Sequence, residues 1–206
     1  MMHSLALLTA AAVLAASPAL AGPRLFPEAV YDAGGGVGGF TERMEAEPLW
    51  RVRIAGGRQR MRLFIGGHTI KSWGVELDQR ANGRVVGVLR EHNGRYVSEE
   101  TTFAVRAADF EALQALVAEA GLWSSYPQFY VEAETAPGSG EICLDGLTVV
   151  LERVDARGYR YSEGNAQCTL GREQLRVVAK LFELANRPGL ARAFAGCCLN
   201  EPSSVP

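Results

Sequence analysis

The chain has 206 residues and is nearly charge-balanced, with 21 Lys plus Arg against 23 Asp plus Glu and a net charge of -2. That balance offers no electrostatic attraction to nucleic acid or to an anionic membrane, so neither is expected as a partner. The length suits one domain that buries its own core, and no second domain is required.

Residues 1–21 read as a signal peptide. A polar start, Met1 to Ser4, gives way to an apolar run from Leu5 to Ala16 and then to Ser17-Pro18-Ala19-Leu20-Ala21. Small residues at Ala19 and Ala21 fit a signal peptidase pocket and place the cut before Gly22. The pattern departs from the usual one in having no Lys or Arg ahead of the apolar run. A retained span would need about 20 apolar residues, and Pro18 interrupts too early, so no stable membrane insertion is expected after cleavage. No Cys follows the cut, which argues against a lipid anchor. The expected location is periplasmic or extracellular.

Residues 22–48 carry Pro23, Pro27, Pro48 and the run Gly34-Gly35-Gly36-Val37-Gly38-Gly39 with little apolar periodicity, and read as a flexible leader. The domain proper is expected over residues 49–199. Residues 49–54 alternate Trp50, Val52 and Ile54 with Arg51 and Arg53, which predicts a half-buried strand. Gly56-Gly57 turns it into a return strand, Gln59 to Ile65, completing a hairpin. Strands follow at Thr69 to Leu77 and Arg84 to Glu91 around Ala81-Asn82-Gly83, and a short one at Thr101 to Val105. Phe110, Leu113, Leu116, Val117 and Ala120 form the stripe of a helix from Ala108 to Ala120, stopped by Gly121. Leu122 to Gly140 reads as a long loop. A second hairpin has strands near Leu147 to Val154 and Tyr159 to Glu163. Thr169 is the expected cap of a helix over 170–186, striped by Leu175, Val178, Leu181, Phe182 and Ala185. A short helical piece over Leu190 to Ala195 precedes the polar tail, 200–206. Val85 to Leu116 and Val149 to Leu181 both read as hairpin then helix, which suggests a degenerate repeat. The fold class that follows is α+β, a mostly antiparallel sheet with two main helices packed on one face.

Four cysteines, Cys143, Cys168, Cys197 and Cys198, are an even count in an exported chain and are expected in disulfides. Cys143 and Cys168 flank the second hairpin almost symmetrically, within reach of each other if its ladder extends that far. The competing arrangement ties each of them to Cys197 or Cys198. A thiol nucleophile would need His68 or His92, and neither lies in a protease signature. The glycine run formally satisfies G-x-G-x-x-G but has no strand before it and no clear helix after it, so no dinucleotide is expected. No cofactor, metal site or catalytic residue is assigned.

Two surfaces remain as ligand-binding candidates. Arg51, Arg53, Arg60 and Arg62, with Arg58, would gather on the exposed face of the first hairpin and suit a carboxylate or phosphate. Glu42, Glu45 and Glu47 lie upstream and could neutralise them. Trp123, Tyr126, Phe129 and Tyr130 could stack on a sugar or peptide, with Glu132, Glu134 and Glu141 as acceptors, or could simply close the core.

The stretch Cys143-Leu144-Asp145-Gly146, Val150-Leu151-Glu152, Gly158-Tyr159-Arg160-Tyr161 resembles a pattern of uncharacterised bacterial secreted proteins. In them Asp-Gly leads into an apolar strand ending in Glu, with Gly-Tyr on the return strand and a closing helix. The likeness covers roughly residues 101–186, and Val150 replaces the usual aromatic before the Glu. It implies a fold and no site. The functional expectation is a non-catalytic module that binds an unknown envelope ligand or protein. The alternative is a periplasmic hydrolase or thiol-dependent enzyme.

Overall fold

The computed structural model describes residues 24–36, 41, 44, 46–67, 71–94, 97–124, 127–131 and 146–196. The expected signal peptide, 1–21, and the expected tail, 200–206, lie outside them. Among the described residues seven strands form one sheet: β1 (Gln59–Gly66), β2 (Ser72–Gln79), β3 (Val85–His92), β4 (Val97–Val105), β5 (Phe129–Val131), β6 (Thr148–Asp155) and β7 (Gly158–Asn165). Their spatial order is β4-β3-β2-β1-β6-β7-β5. Every pairing is antiparallel except β5 on β7, which is parallel. With the helices α1 (Glu28–Asp32), α2 (Ala107–Glu119), α3 (Arg172–Leu184) and α4 (Pro188–Gly196), the fold is α+β.

Period-two alternation sends Met61, Leu63 and Ile65 of β1, Val75 and Leu77 of β2, and Val149 and Leu151 of β6 to one face. There they meet Phe110, Leu113 and Val117 of α2 and Leu175, Val178, Leu181 and Phe182 of α3. Phe194 of α4 stacks on Phe182 at 5.6 Å between ring centroids and extends this core. Gly121, at φ 64°, turns the chain out of α2 in the left-handed region. At the start of α3 the expected cap differs. The backbone N–H of Gly171 donates to Gln174 Oε1 at 2.7 Å, while Thr169 Oγ1 accepts the N–H of Asn165 at 2.8 Å and braces the preceding turn.

The other sheet face overturns the leader expectation. Leu25, Phe26, Val30, Met44 and Leu49 are buried against Phe64, Val150, Val154, Tyr159 and Tyr161. Phe26 meets the ring of Tyr161 edge-on at 5.1 Å and that of Phe64 at 6.5 Å. The N-terminal segment is therefore a strap over the second face. Burial of each such side chain contributes about 1.5–3 kcal/mol. Composition concealed this because the strap's apolar residues fall at irregular intervals, with no helical or strand period. The glycine run also has a structural role at its start. Gly34 at φ 85° ends α1, and at Gly35 a β-carbon would come within 2.7 Å of Val131 and 2.9 Å of Glu163 Oε2, so the backbone lies flat on the sheet.

The first predicted hairpin does not form. Leu49–Arg51 is a 3-10 turn, Val52 to Ala55 continues without a strand partner, and β1 pairs instead with β2 and β6. β1 is thus a central strand covered on both faces, with Met61 to Gly66 all buried or nearly so. The predicted long loop contains β5, a short edge strand that the sequence reading missed.

Candidate functional site

The second face places the charged residues of β1, β6 and β7 in a row, because Arg62 pairs with Glu152 across β1 and β6, and Glu152 with Tyr161 across β6 and β7. Arg62 is 1% exposed and Glu152 0%. Arg62 Nε donates to Glu152 Oε2 at 2.7 Å and its Nη1 to the carbonyl of Glu47 at 2.8 Å. The hydroxyl of Tyr159 donates to the other carboxylate oxygen, also at 2.7 Å. Burial pulls the Arg62 guanidinium down, but the charge and hydrogen bond of Glu152 outweigh it and hold its pKa above the ordinary value. Arg62, expected on an exposed face, is therefore structural. The Glu of the secreted-protein pattern is its buried counter-ion.

One register step on, Glu163 accepts from the Tyr161 hydroxyl and from the N–H of Gly36 at 2.8 Å. That same N–H lies 3.1 Å from the Tyr161 oxygen. This clasp pins the strap to β7. Burial first, and then the adjacent carboxylates, raise the phenol pKa of Tyr159 and Tyr161 well above the ordinary value of 10. The folded state therefore keeps two protons that the unfolded chain releases above about pH 10. Its share of stability is complete below that pH and falls as pH rises further. Urea midpoints should drop between about pH 9 and about pH 11, and less steeply in Tyr161→Phe. An unchanged midpoint would show that solvent reaches both phenols.

The aromatic candidates separate. Trp123 is 8% exposed and belongs to the helix-side core, with Arg153 over its ring at 5.8 Å, so it is no platform. Phe129 and Tyr130 are half-buried on β5, and Phe129 packs on Tyr159 at 6.1 Å. Tyr126 lies outside the described residues, as do His68, Cys143, Cys197 and Cys198. His92 is 1% exposed, and its Nδ1 accepts the N–H of Gly94 at 3.0 Å. Among the described residues no group of three His, Cys, Asp or Glu is arranged to hold a metal, and no helix is long and apolar enough to cross a membrane.

Arg51 and Arg53 behave differently from Arg62. Both are exposed at the mouth of a cleft of about 660 Å³ between residues 50–54 and the end of the β6–β7 hairpin. Trp50, Val52, Ile54, Val154 and Tyr159 line its walls, and Arg51 lies over the Trp50 ring at 4.7 Å. Its carboxylate, Asp155, is already held by Arg153 at 2.8 Å and Arg157 at 3.3 Å. Among the described residues no carboxylate lies within ion-pair distance of Arg51 or Arg53. A second cleft of about 390 Å³ shares Arg51 and Val52 and is bounded by Arg60. Arg60 is partly exposed and shared among Glu47, Glu76 and Asp78 at 3.6–3.9 Å. The sequence signal for Arg51 and Arg53 was present. The apolar wall opposite them, from Val154 and Tyr159, was not readable because it lies a hundred residues away.

A third hollow, about 370 Å³, runs between α3 and α4 over Leu116, Ala179 and Ala191. Of its rim charges, Arg176 is paired with Glu119 and Glu173 and Lys180 with Glu183, while exposed Arg192 has no ion pair among the described residues. Among the described residues, the Arg51–Arg53 cleft carries two unpaired guanidinium groups and the third hollow one. No family model matches this chain, and no curated protein matches it either.

Proposed function

We propose that this protein is an exported, non-catalytic binding module of the bacterial envelope, whose ligand presents carboxylate or phosphate groups to Arg51 and Arg53. The observation that carries this reading is the pair of exposed, unneutralised guanidinium groups at the mouth of a mixed polar and apolar cleft walled by Trp50, Val52, Ile54 and Tyr159. Pockets of this size with a few convergent polar groups are the usual form of ligand sites. An enzyme has less support, because the buried carboxylates Glu152 and Glu163 are engaged by Arg62, Tyr159, Tyr161 and Gly36.

Export is supported by the N-terminal pattern. Among the described residues the first buried side chain is Leu25, beyond the expected cut before Gly22, so cleavage leaves the described contacts intact. The even count of four cysteines supports disulfides in the mature protein.

The test is calorimetric titration with polyglutamate and with inorganic phosphate at low salt. Arg51→Ala with Arg53→Ala should weaken binding by about tenfold, since each exposed charge pair is worth roughly 0.2–1 kcal/mol and about 1.4 kcal/mol is tenfold. Thermal stability should not change, because both side chains are exposed. Equal binding by the double variant would exclude this cleft.

A further inference from the structure

Residues 51–55 have the sequence period of a strand and take up its exposure pattern without having a strand partner. Arg51, Arg53 and Ala55 are exposed, while Val52 and Ile54 are half-buried and packed on the strap-side core. Val52 is extended, at φ -74° and ψ 124°. Its N–H closes the preceding turn onto Leu49 at 3.1 Å. Among the described residues, no hydrogen bond reaches the backbone of Arg53, Ile54 or Ala55. Gly56 and Gly57, at φ 56° and 68°, then turn the chain away into β1. A short run of open donors and acceptors therefore borders the cleft, with apolar side chains anchoring it from below.

An exposed extended backbone of this kind is a template for another strand, and peptide recognition commonly uses it: main-chain hydrogen bonds supply affinity and alternate side chains supply specificity. Resting on the anion reading above, we infer that the ligand is an acidic peptide segment, bound in extended form alongside Val52–Ala55. Charge chooses the occupant. Arg51 and Arg53 are two residues apart, the spacing at which an extended peptide presents successive side chains to one face. At the hairpin end Arg153 and Arg157 share the one carboxylate, Asp155, which leaves that end net positive. The apolar floor of Val52, Ile54 and Tyr159 accepts the intervening side chains. A small free anion would engage the guanidinium groups but leave the backbone and the floor unused.

The probe is the blocked heptapeptide EVEVEVE, titrated into the mature protein, with KVKVKVK and inorganic phosphate beside it. Two further versions carry N-methyl groups, on every valine in one and on every glutamate in the other. Alternate N–H groups of an extended strand point to opposite neighbours, so one methylation pattern should weaken binding about tenfold while the other leaves it near the parent. EVEVEVE should bind more tightly than phosphate, KVKVKVK should not bind, and Arg51→Ala with Arg53→Ala should reduce EVEVEVE affinity about tenfold. If both methylated peptides bind like the parent, the cleft takes anions but not an added strand, and only the peptide inference falls. If no acidic probe binds, or the arginine variant binds EVEVEVE unchanged, the anion reading falls with it.

Discussion

Glu152→Gln is expected to cost about 3–5 kcal/mol of folding stability, the loss associated with breaking one side of a buried ion pair. Glutamine keeps the volume and one acceptor for the Tyr159 hydroxyl, so packing changes little. What it removes is the negative charge 2.7 Å from Arg62 Nε, in a place where Arg62 is 1% exposed and cannot turn to water. Glu76, 3.6 Å from Nη1, is 20% exposed and only partly compensates. Denaturant midpoints at neutral pH measure the effect. The triple variant Arg62→Met, Glu152→Leu, Tyr159→Phe should lose less than Glu152→Gln alone, because an apolar cluster of similar size leaves no buried charge and no orphaned phenol in the interior. A single variant within about 1 kcal/mol of wild type would mean that water enters under the strap and that the pair is not a buried one.

Phe26→Ala should be comparably damaging, at about 3–5 kcal/mol. Phe26 is 1% exposed and fills the space between Phe64, Tyr161 and Tyr31. Its removal leaves a cavity on the second face and loosens the segment that carries Gly36 to Glu163. Arg24→Ala, by contrast, alters an exposed side chain paired with exposed Glu28 and should change stability by less than about 0.5 kcal/mol. The contrast separates a packed strap from a tethered leader. A leader would leave both midpoints unchanged, whereas a strap loses stability in Phe26→Ala and gains amide exchange across residues 24–36. Protection of the Gly36 amide is the most direct local reading of the clasp.

Sequence patterning revealed most elements on the helix side of the sheet. The stripe of α3 was readable because Leu175, Val178, Leu181 and Phe182 recur at helical spacing, and β3, β6 and β7 because alternation and turn residues bracket them. The second face was much less legible. Arg62 looked like a solvated residue because arginines alternate with apolar residues along Gln59 to Ile65, the pattern of a one-sided hairpin. That pattern is equally compatible with a central strand carrying a buried ion pair, and the two differ only in what covers the far side. The cleft was half legible: Arg51 and Arg53 stood out, but as strand residues paired with β1. Trp123 looked like a platform because a tryptophan after a helix reads the same whether it points outward or, at φ 63°, inward.

By itself, the sequence determined which segments become strands and helices on one side of the sheet, the α+β class and the turn positions. All of these rest on periodicity and on glycine or asparagine within a few residues of one another. Tertiary structure alone decided that β1 is central, that residues 24–36 are a strap, that Arg62, Glu152 and Glu163 are interior, and that residues 51–55 remain unpaired beside a cleft. Those outcomes depend on contacts between residues about 90 to 130 positions apart, such as Arg62 with Glu152 and Gly36 with Glu163. A burial pattern read within a short window carries no record of which distant segment arrives to complete it.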